Sequence, residues 1–379
     1  MKRIPENGGN GKQRVYWLDV ARVVAIVSIS INHAINRSYD NYTDQMTEYL
    51  TIPIASTYFK AFITVFSHLG VPIFLMLSGT LLLNKRIKGE KEICYFFRHN
   101  YLDLLITSEI WYFIMYWRLT IGQLIKNGTL SVSQFLKLVF GLIKTMLFID
   151  QVTFDSTWYI PMILCIYLLI PIFALVLQRC QLRVFAIPCV IVFVSTMVFP
   201  NINSILLLGG HEYQINFALR SLDVFSVYFL YVFAGYWINR GGLSDLNNLV
   251  LVVMCGISFF ACFAIQLYAY SRPMNYLVEY DFSLILVTAA LLFECIRRFS
   301  FNEKKFGDVI SYVSRISFGI YFVHILIMTI VNKLPIYDNW PRPLLLFFLE
   351  VVSFIGSIVI IRILSRIDIL KRRMFLIKD

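Results

Sequence analysis

The sequence predicts an all-α polytopic membrane protein of about ten transmembrane helices, with N- and C-termini in the cytoplasm. Three observations carry that expectation. The 379 residues are 58% hydrophobic and only 15% charged, with a mean hydropathy of +0.70. Soluble domains run at about 45–50% apolar and about 25% charged, so this chain has more apolar surface than one core can hide. The apolar residues also fall in runs long enough to cross a bilayer, which takes about 20 residues per helix. Finally, basic residues punctuate those runs and concentrate in alternate loops, the pattern of positive-inside membrane proteins.

Taken in order, residues 1–14 form a basic cytoplasmic leader holding Lys2, Arg3, Lys12 and Arg14. The apolar run after it ends in no small-residue cleavage site, so it is expected to stay as a helix. Spans are predicted at 15–36, 60–83, 96–117, 157–178, 184–200, 222–239, 246–268, 278–297, 309–331 and 342–364. The run 134–149 is short and carries Lys137 and Lys144, which predicts an interfacial or re-entrant segment. Counting it as a crossing would move the basic tail, 365–379, to the outside, against the charge rule. With ten spans, the inside segments hold more than twice as many of the 34 basic residues as the outside loops. No Gly-, Pro- or Ser-rich linker divides the chain, so 1–379 reads as one integral-membrane domain. The outside loops are too short for a separate catalytic module, and any chemistry must use the bundle itself.

The net charge of +11 is scattered among loops instead of gathered in one stripe, so membrane lipids, and no nucleic acid, are the expected surroundings. The seven cysteines contain no Cys-x-x-Cys pair. They read as buried small hydrophobes, with no metal site.

Ionisable groups at membrane depth cost about 2.5–3.5 kcal/mol each on insertion scales, so each is a functional hypothesis. The first span carries Asp19, Arg22 and His33. Arg22 and His33 share one helix face about 16 Å apart along the axis. Asp19, one turn before Arg22, can pair with it. Singly, a membrane histidine commonly bonds a neighbouring helix and an arginine near a helix end snorkels. Placed in register on one span, the two also fit a functional path. Three further stretches stand out: the run from Gly70 to Gly79, with Pro72 and Ser78; Arg98-His99-Asn100 at the start of the third span; and Ser317 to His324 in the ninth. Glu109 lies three turns beyond Arg98 on what should be the same face.

Together these stretches resemble the acyltransferase 3 family, membrane O-acyltransferases of cell-surface glycans. The resemblance rests on Arg22-x10-His33 preceded by Leu18-Asp19, the Gly-Val-Pro-x-Phe-x-x-x-Ser-Gly run at 70–79, Trp158-Tyr159, and Ser317 to His324. The family often carries a second arginine three residues after the first at the start of the third span; here Tyr101 stands in that place. The resemblance implies transfer of an acyl group, commonly acetyl, from cytoplasmic acyl-CoA to a hydroxyl of a cell-envelope glycan or lipid-linked sugar on the outer face of the cell membrane. It implies acyl-CoA as donor substrate, with no bound cofactor. His33 is then expected as general base, since an imidazole titrates near neutrality, or as the site of an acyl-histidine. Asp19 would orient Arg22, and Glu109 would polarise His33 or bind the acceptor. Arg22, Arg98 and Ser78 are donor-binding candidates; Trp158, Tyr159 and His324 are acceptor-binding candidates. Asn32, Ser78 or a tyrosine can donate to the oxyanion. A transporter or exporter of a saccharide precursor or small polar solute, using Arg22, Glu109, His33 and His324 as its path, is the alternative.

Overall fold

The computed structural model describes residues 15–39, 45–127, 131–149, 158–180, 182–211, 214–215, 223–299, 303–332, 334 and 340–377. The leader 1–14 lies outside the described residues. Among those described there is helix and no strand. The first half of the chain forms α1 (Tyr16–Ser38), α2 (Gln45–Thr51), α3 (Ile54–Ser67), α4 (Gly70–Leu82), α5 (Glu90–Phe96), α6 (Leu102–Asn127), α7 (Val132–Met146) and α8 (Tyr159–Arg179). The second half forms α9 (Leu182–Phe193), α10 (Phe199–Leu208), α11 (Asp223–Asn239), α12 (Asn248–Tyr270), α13 (Ser283–Arg298), α14 (Glu303–Val331), α15 (Arg342–Leu364) and α16 (Asp368–Arg373). Among the described residues, seven stretches are long and apolar enough to cross a membrane: Tyr16–Ser38, Ile54–Leu82, Tyr159–Arg179, Arg183–Leu208, Asn248–Tyr270, Lys305–Val331 and Arg342–Leu364. The chain is a multi-pass helical membrane protein.

α1 is the axis of the bundle. It runs antiparallel to α3 and α4, with Ser28 opposite Ser67 and Tyr39 opposite Ser56. Against α14 it runs parallel. The bonds Asp19–Ser311, Arg22–Ser314 and Arg37–Thr329 all join residues 292 positions apart, so the two helices keep one direction and one register.

Several elements depart from the sequence expectation. The predicted span 60–83 is two helices, α3 and α4, broken around His68 and Leu69. A break at membrane depth frees carbonyl groups that need partners. Ser28 of α1 supplies one, its Oγ within 2.8 and 3.0 Å of the Phe66 and Ser67 carbonyls, while Asn32 donates to Ser67 Oγ at 3.0 Å. The span expected at 184–200 continues to Leu208 through a π-helical turn at Val194–Val198. Its polar end is tied down, Asn201 accepting from the Ser283 amide and Asn203 pairing with Ile215. The third span begins with another π-helical turn, Phe97–Tyr101, and runs on to Asn127. Cys94, Cys165 and Cys180 are exposed instead of buried, on outward faces with no protein neighbour to cover them.

The run at 134–149 becomes α7, a 15-residue helix opened by a capping box between Ser131 and Gln134. Its Phe135, Leu136, Val139 and Phe140 are exposed, and Tyr116 of α6 donates to the Leu138 carbonyl at 2.7 Å. Fifteen residues fall short of the ~20 needed for a crossing.

Contacts between connections gather at two ends of the bundle. At one, Gln45 meets Asn275 and Tyr276, and Lys60 bonds both oxygens of Glu48 at 2.7 and 2.6 Å between the rings of Tyr39 and Tyr270. Burial pushes the Glu48 carboxyl above its ordinary range even with that ammonium in contact. At the other end, Gln178 bridges Lys85 and Ile87, and Arg298 bonds the carbonyls of Leu243 and Leu246. The tail belongs to this second end and is no solvated strand of charge. α16 turns back, Trp111 Nε1 donates to the Met374 carbonyl at 2.8 Å, and Phe375 is fully buried against Gly319.

The tightest helix crossing is α4 on α11. A Cβ at Gly79 would strike the Val232 carbonyl, and one at Gly235 the Met76 carbonyl. Because backbone and not a flexible side chain is in the way, Gly235→Ala must push the helices apart, at a cost of about 1–3 kcal/mol by the usual scale of overpacking. Gly235→Ala is therefore expected to lower the thermal midpoint in detergent. Gly256→Ala, at a helical position with open space around it, should leave the midpoint unchanged or raise it, since Ala is the better helix former; equal midpoints for both variants would contradict the crossing.

Candidate active site

The seam between α1 and α14 carries three polar layers, each built from residues at helical spacing. In the first, buried Asp19 accepts from Ser314 Oγ at 2.6 Å and from Ser311 Oγ and Arg22 Nη1 at 3.4 Å each. Arg22 Nη1 also reaches Ser314 Oγ at 3.4 Å, and its side chain stays 30% exposed. In the second layer the rings of His33 and His324 face each other with centroids 5.4 Å apart, both buried. In the third, Arg37 Nη2 donates to Thr329 Oγ1 at 3.2 Å.

A cavity of ≈ 630 Å³ joins the first layer to the threshold of the second. Its wall follows α1 from Val15 to Ile29 and α14 from Ser314 to Tyr321, with Ser78, Tyr159 and Tyr167 from α4 and α8. Arg22 and Arg315 both line it, and Phe375 and Leu376 of the tail form part of the wall. Ile29 and Tyr321 each lie one turn before a histidine, so the cavity stops about one helical turn short of the imidazole pair.

A chain of aromatic contacts runs from exposed Trp158 through the cavity wall to that pair. Exposed Trp158 packs on Tyr280 and Tyr228 at 5.3 and 5.8 Å and on Tyr159 at 6.3 Å. Tyr159 meets Tyr321 at 5.8 Å, and Tyr321 meets His324 at 6.4 Å. Tyr280 in turn touches His68 at the α3–α4 break.

His324 Nδ1 lies 2.6 Å from the Ile320 carbonyl. A carbonyl only accepts, so the neutral ring carries its proton on Nδ1 and leaves Nε2 with a bare lone pair. That Nε2 is buried and has no hydrogen-bond partner. On α15, Glu350 Oε2 accepts from Ser30 Oγ at 2.7 Å, one turn before His33.

Of the sequence candidates, Asp19, Arg22, Ser78 and Tyr159 line the cavity, and His33 and His324 meet just beyond it. Asp19 stands beside Arg22 and not beside His33. Trp158 reaches the pair through Tyr159. Arg98 is exposed and Glu109 half-buried with an unpartnered Oε2, and neither lines the cavity. The physical reason is the π-helical turn at Phe97–Tyr101. It inserts an extra residue into the turn, so a face counted at 3.6 residues per turn from Arg98 no longer leads to Glu109. Asn32 is committed to the α3–α4 break. Residues that sequence reasoning passed over are Ser311, Ser314, Arg315, Arg37, His68 and Glu350. The first three lie on or beside a stripe of three- and four-residue spacings that continues through Ser317 and Tyr321 to His324.

The acyltransferase 3 family model, described as an acyltransferase domain, matches residues 15–362. The chain belongs to this family and is a membrane acyltransferase. Neither the curated proteins nor the solved structures compared gave a match.

Proposed function

We propose that the protein transfers an acyl group, acetyl in the simplest case, from cytoplasmic acyl-CoA to a hydroxyl of a cell-envelope glycan or lipid-linked saccharide at the outer face of the cell membrane. The observation that carries this reading is the cavity that starts at Arg22 and Arg315 and stops one turn short of His33 and His324. A thioester on a long flexible arm fits such a channel. Its phosphates meet the guanidinium groups, which suit phosphate oxygens, and its acyl end reaches the imidazoles.

The chemistry then follows from the residues. His33 takes the proton of the acceptor hydroxyl, the oxygen attacks the acyl carbon, and the C–S bond breaks with its electron pair on sulfur. The proton returns to the thiolate from the imidazolium. Tyr321, whose ring meets that of His324, is the hydroxyl in the cavity wall placed to donate to the oxyanion. Trp158 and its tyrosine neighbours offer flat faces on which a sugar ring can stack.

Both termini are read as cytoplasmic, with ten crossings. The parallel register of α1 and α14 supports this, because it needs an odd number of crossings between them. The long apolar helices between them are Ile54–Leu82, Tyr159–Arg179, Arg183–Leu208 and Asn248–Tyr270, an even set. Adding α6, α11 and α13 makes the number odd and the total ten, and leaves α7 at the interface. The two ends of the bundle agree, since α13 leads from Ser283 at one to Arg298 at the other.

The test is to reconstitute purified protein in vesicles with labelled acetyl-CoA and a polysaccharide acceptor from the envelope. Label is expected to move to the acceptor as an alkali-labile ester. Donor or saccharide crossing the vesicle wall with no ester formed would contradict the reading and favour transport.

A further inference from the structure

Resting on the acyl-transfer reading, we infer that His33 and His324 form an imidazole dyad in which His324 Nε2 accepts the second ring N–H of His33, so that His324 positions the base and shares the proton it takes up. Three observations converge on this. The Nδ1 of His324 is spent on the Ile320 carbonyl, which fixes Nε2 as an acceptor. That acceptor is buried with no partner, a state that costs free energy unless something donates to it. The His33 ring lies 5.4 Å away centroid to centroid, close to the separation at which two imidazoles joined edge to edge by one N–H···N bond sit. The rings are tilted by 45°, and a turn of the His33 ring about its own side-chain axis makes the bond.

The consequence is chemical. A base in a buried site must hold a positive charge after it takes the hydroxyl proton, and burial penalises that charge. When His33 accepts the proton at one nitrogen and its other N–H is bonded to His324 Nε2, the charge spreads over two rings. The bond also fixes which His33 nitrogen faces the acceptor, the part played by a carboxylate in a hydrolase triad. No atom is gained or lost: the acceptor O–H and the thioester C–S bonds break, the ester C–O and thiol S–H bonds form, and both rings return to neutral. Among the described residues, Arg37 on α1 and Tyr321 on α14 face the pair, while Glu350 on α15 is held by Ser30, one turn of α1 before His33.

The experiment compares wild type with H324L, H324Q and H33A in the labelled acetyl-CoA assay. Initial rates are taken over a range of pH, and thermal midpoints are recorded. H324L is expected to lower kcat by on the order of 100-fold with the donor KM unchanged. That is less than the 10⁴-fold loss of a triad carboxylate partner, because neutral imidazole is the weaker acceptor. The acid limb of the rate profile should move to lower pH, since His33 alone holds its proton less firmly. H324Q keeps an acceptor oxygen but cannot take up a proton, so it should recover part of kcat while its limb stays displaced. Activity of H324L within twofold of wild type, or a limb that does not move in either variant, overturns the dyad. If H324L fails to fold, H324Q decides by the same limb. A wild type that transfers no label defeats the acyl-transfer reading itself, and the dyad with it; a fully active H33A leaves acyl transfer standing but removes His33 as its base, and with it the dyad. Loss in H33A with indifference at His324 defeats the dyad alone.

Discussion

Arg22→Gln is expected to raise the KM for acetyl-CoA by about 10–100-fold while the fold stays intact. A charge-assisted hydrogen bond is worth roughly 1.5–3 kcal/mol, and each 1.4 kcal/mol is tenfold in affinity. Arg22 is placed to make such bonds. It lines the cavity and its side chain is 30% exposed, so a ligand in the cavity can reach the guanidinium. The fold should survive because Asp19 keeps Ser314 and Ser311 as donors when the guanidinium is removed. Arg22→Lys should fall between, retaining charge but losing the planar fork that matches phosphate. Initial rates against acetyl-CoA concentration check this, and an unchanged KM for Arg22→Gln would remove the donor from this end of the cavity.

His33→Ala is expected to act on the other kinetic constant. Loss of a general base lowers the chemical step by about 10²–10⁴-fold. The donor KM should change little, because His33 lies beyond the cavity wall and not in it. The two variants together make a sharper claim than either alone: KM moves at one end of α1 and kcat at the other, about three helical turns away. A KM effect at His33 with normal kcat would place the chemistry elsewhere.

Much of this was legible in the sequence. The composition identified the membrane class, and the 3.6-residue period put Arg22 and His33 on one face of α1. What the period of one helix could not reveal was its partner. Asp19, Arg22, His33 and Arg37 meet Ser311, Ser314, His324 and Thr329 only because α14 runs parallel to α1 in register. Helix direction is a property of the whole chain's path. The break between α3 and α4 escaped notice for a similar reason. The hydroxyl that compensates it comes from Ser28, on another helix. At Arg98 and Glu109 the period itself failed, since a π-helical turn leaves no simple compositional mark. The tail 365–379 was read as charge alone. Met374 to Leu376, the apolar residues after the last basic cluster, are what return it to the bundle to wall the cavity.

On the proposed reading, the aromatic series from Trp158 to His324 offers the acceptor a path that joins the donor cavity at Tyr159 and Tyr321. The two substrates would then meet where those rings face the imidazole pair. A cytoplasmic thioester and an extracytoplasmic hydroxyl meeting there would need neither to cross the membrane.

Sidedness tests this account most directly. In vesicles of one protein orientation, labelled acetyl-CoA is sealed with the cytoplasmic face and an acceptor too large to cross is supplied only at the opposite face. The account predicts ester formation on that acceptor, lost in His33→Ala. Transfer only when donor and acceptor share a compartment would contradict it.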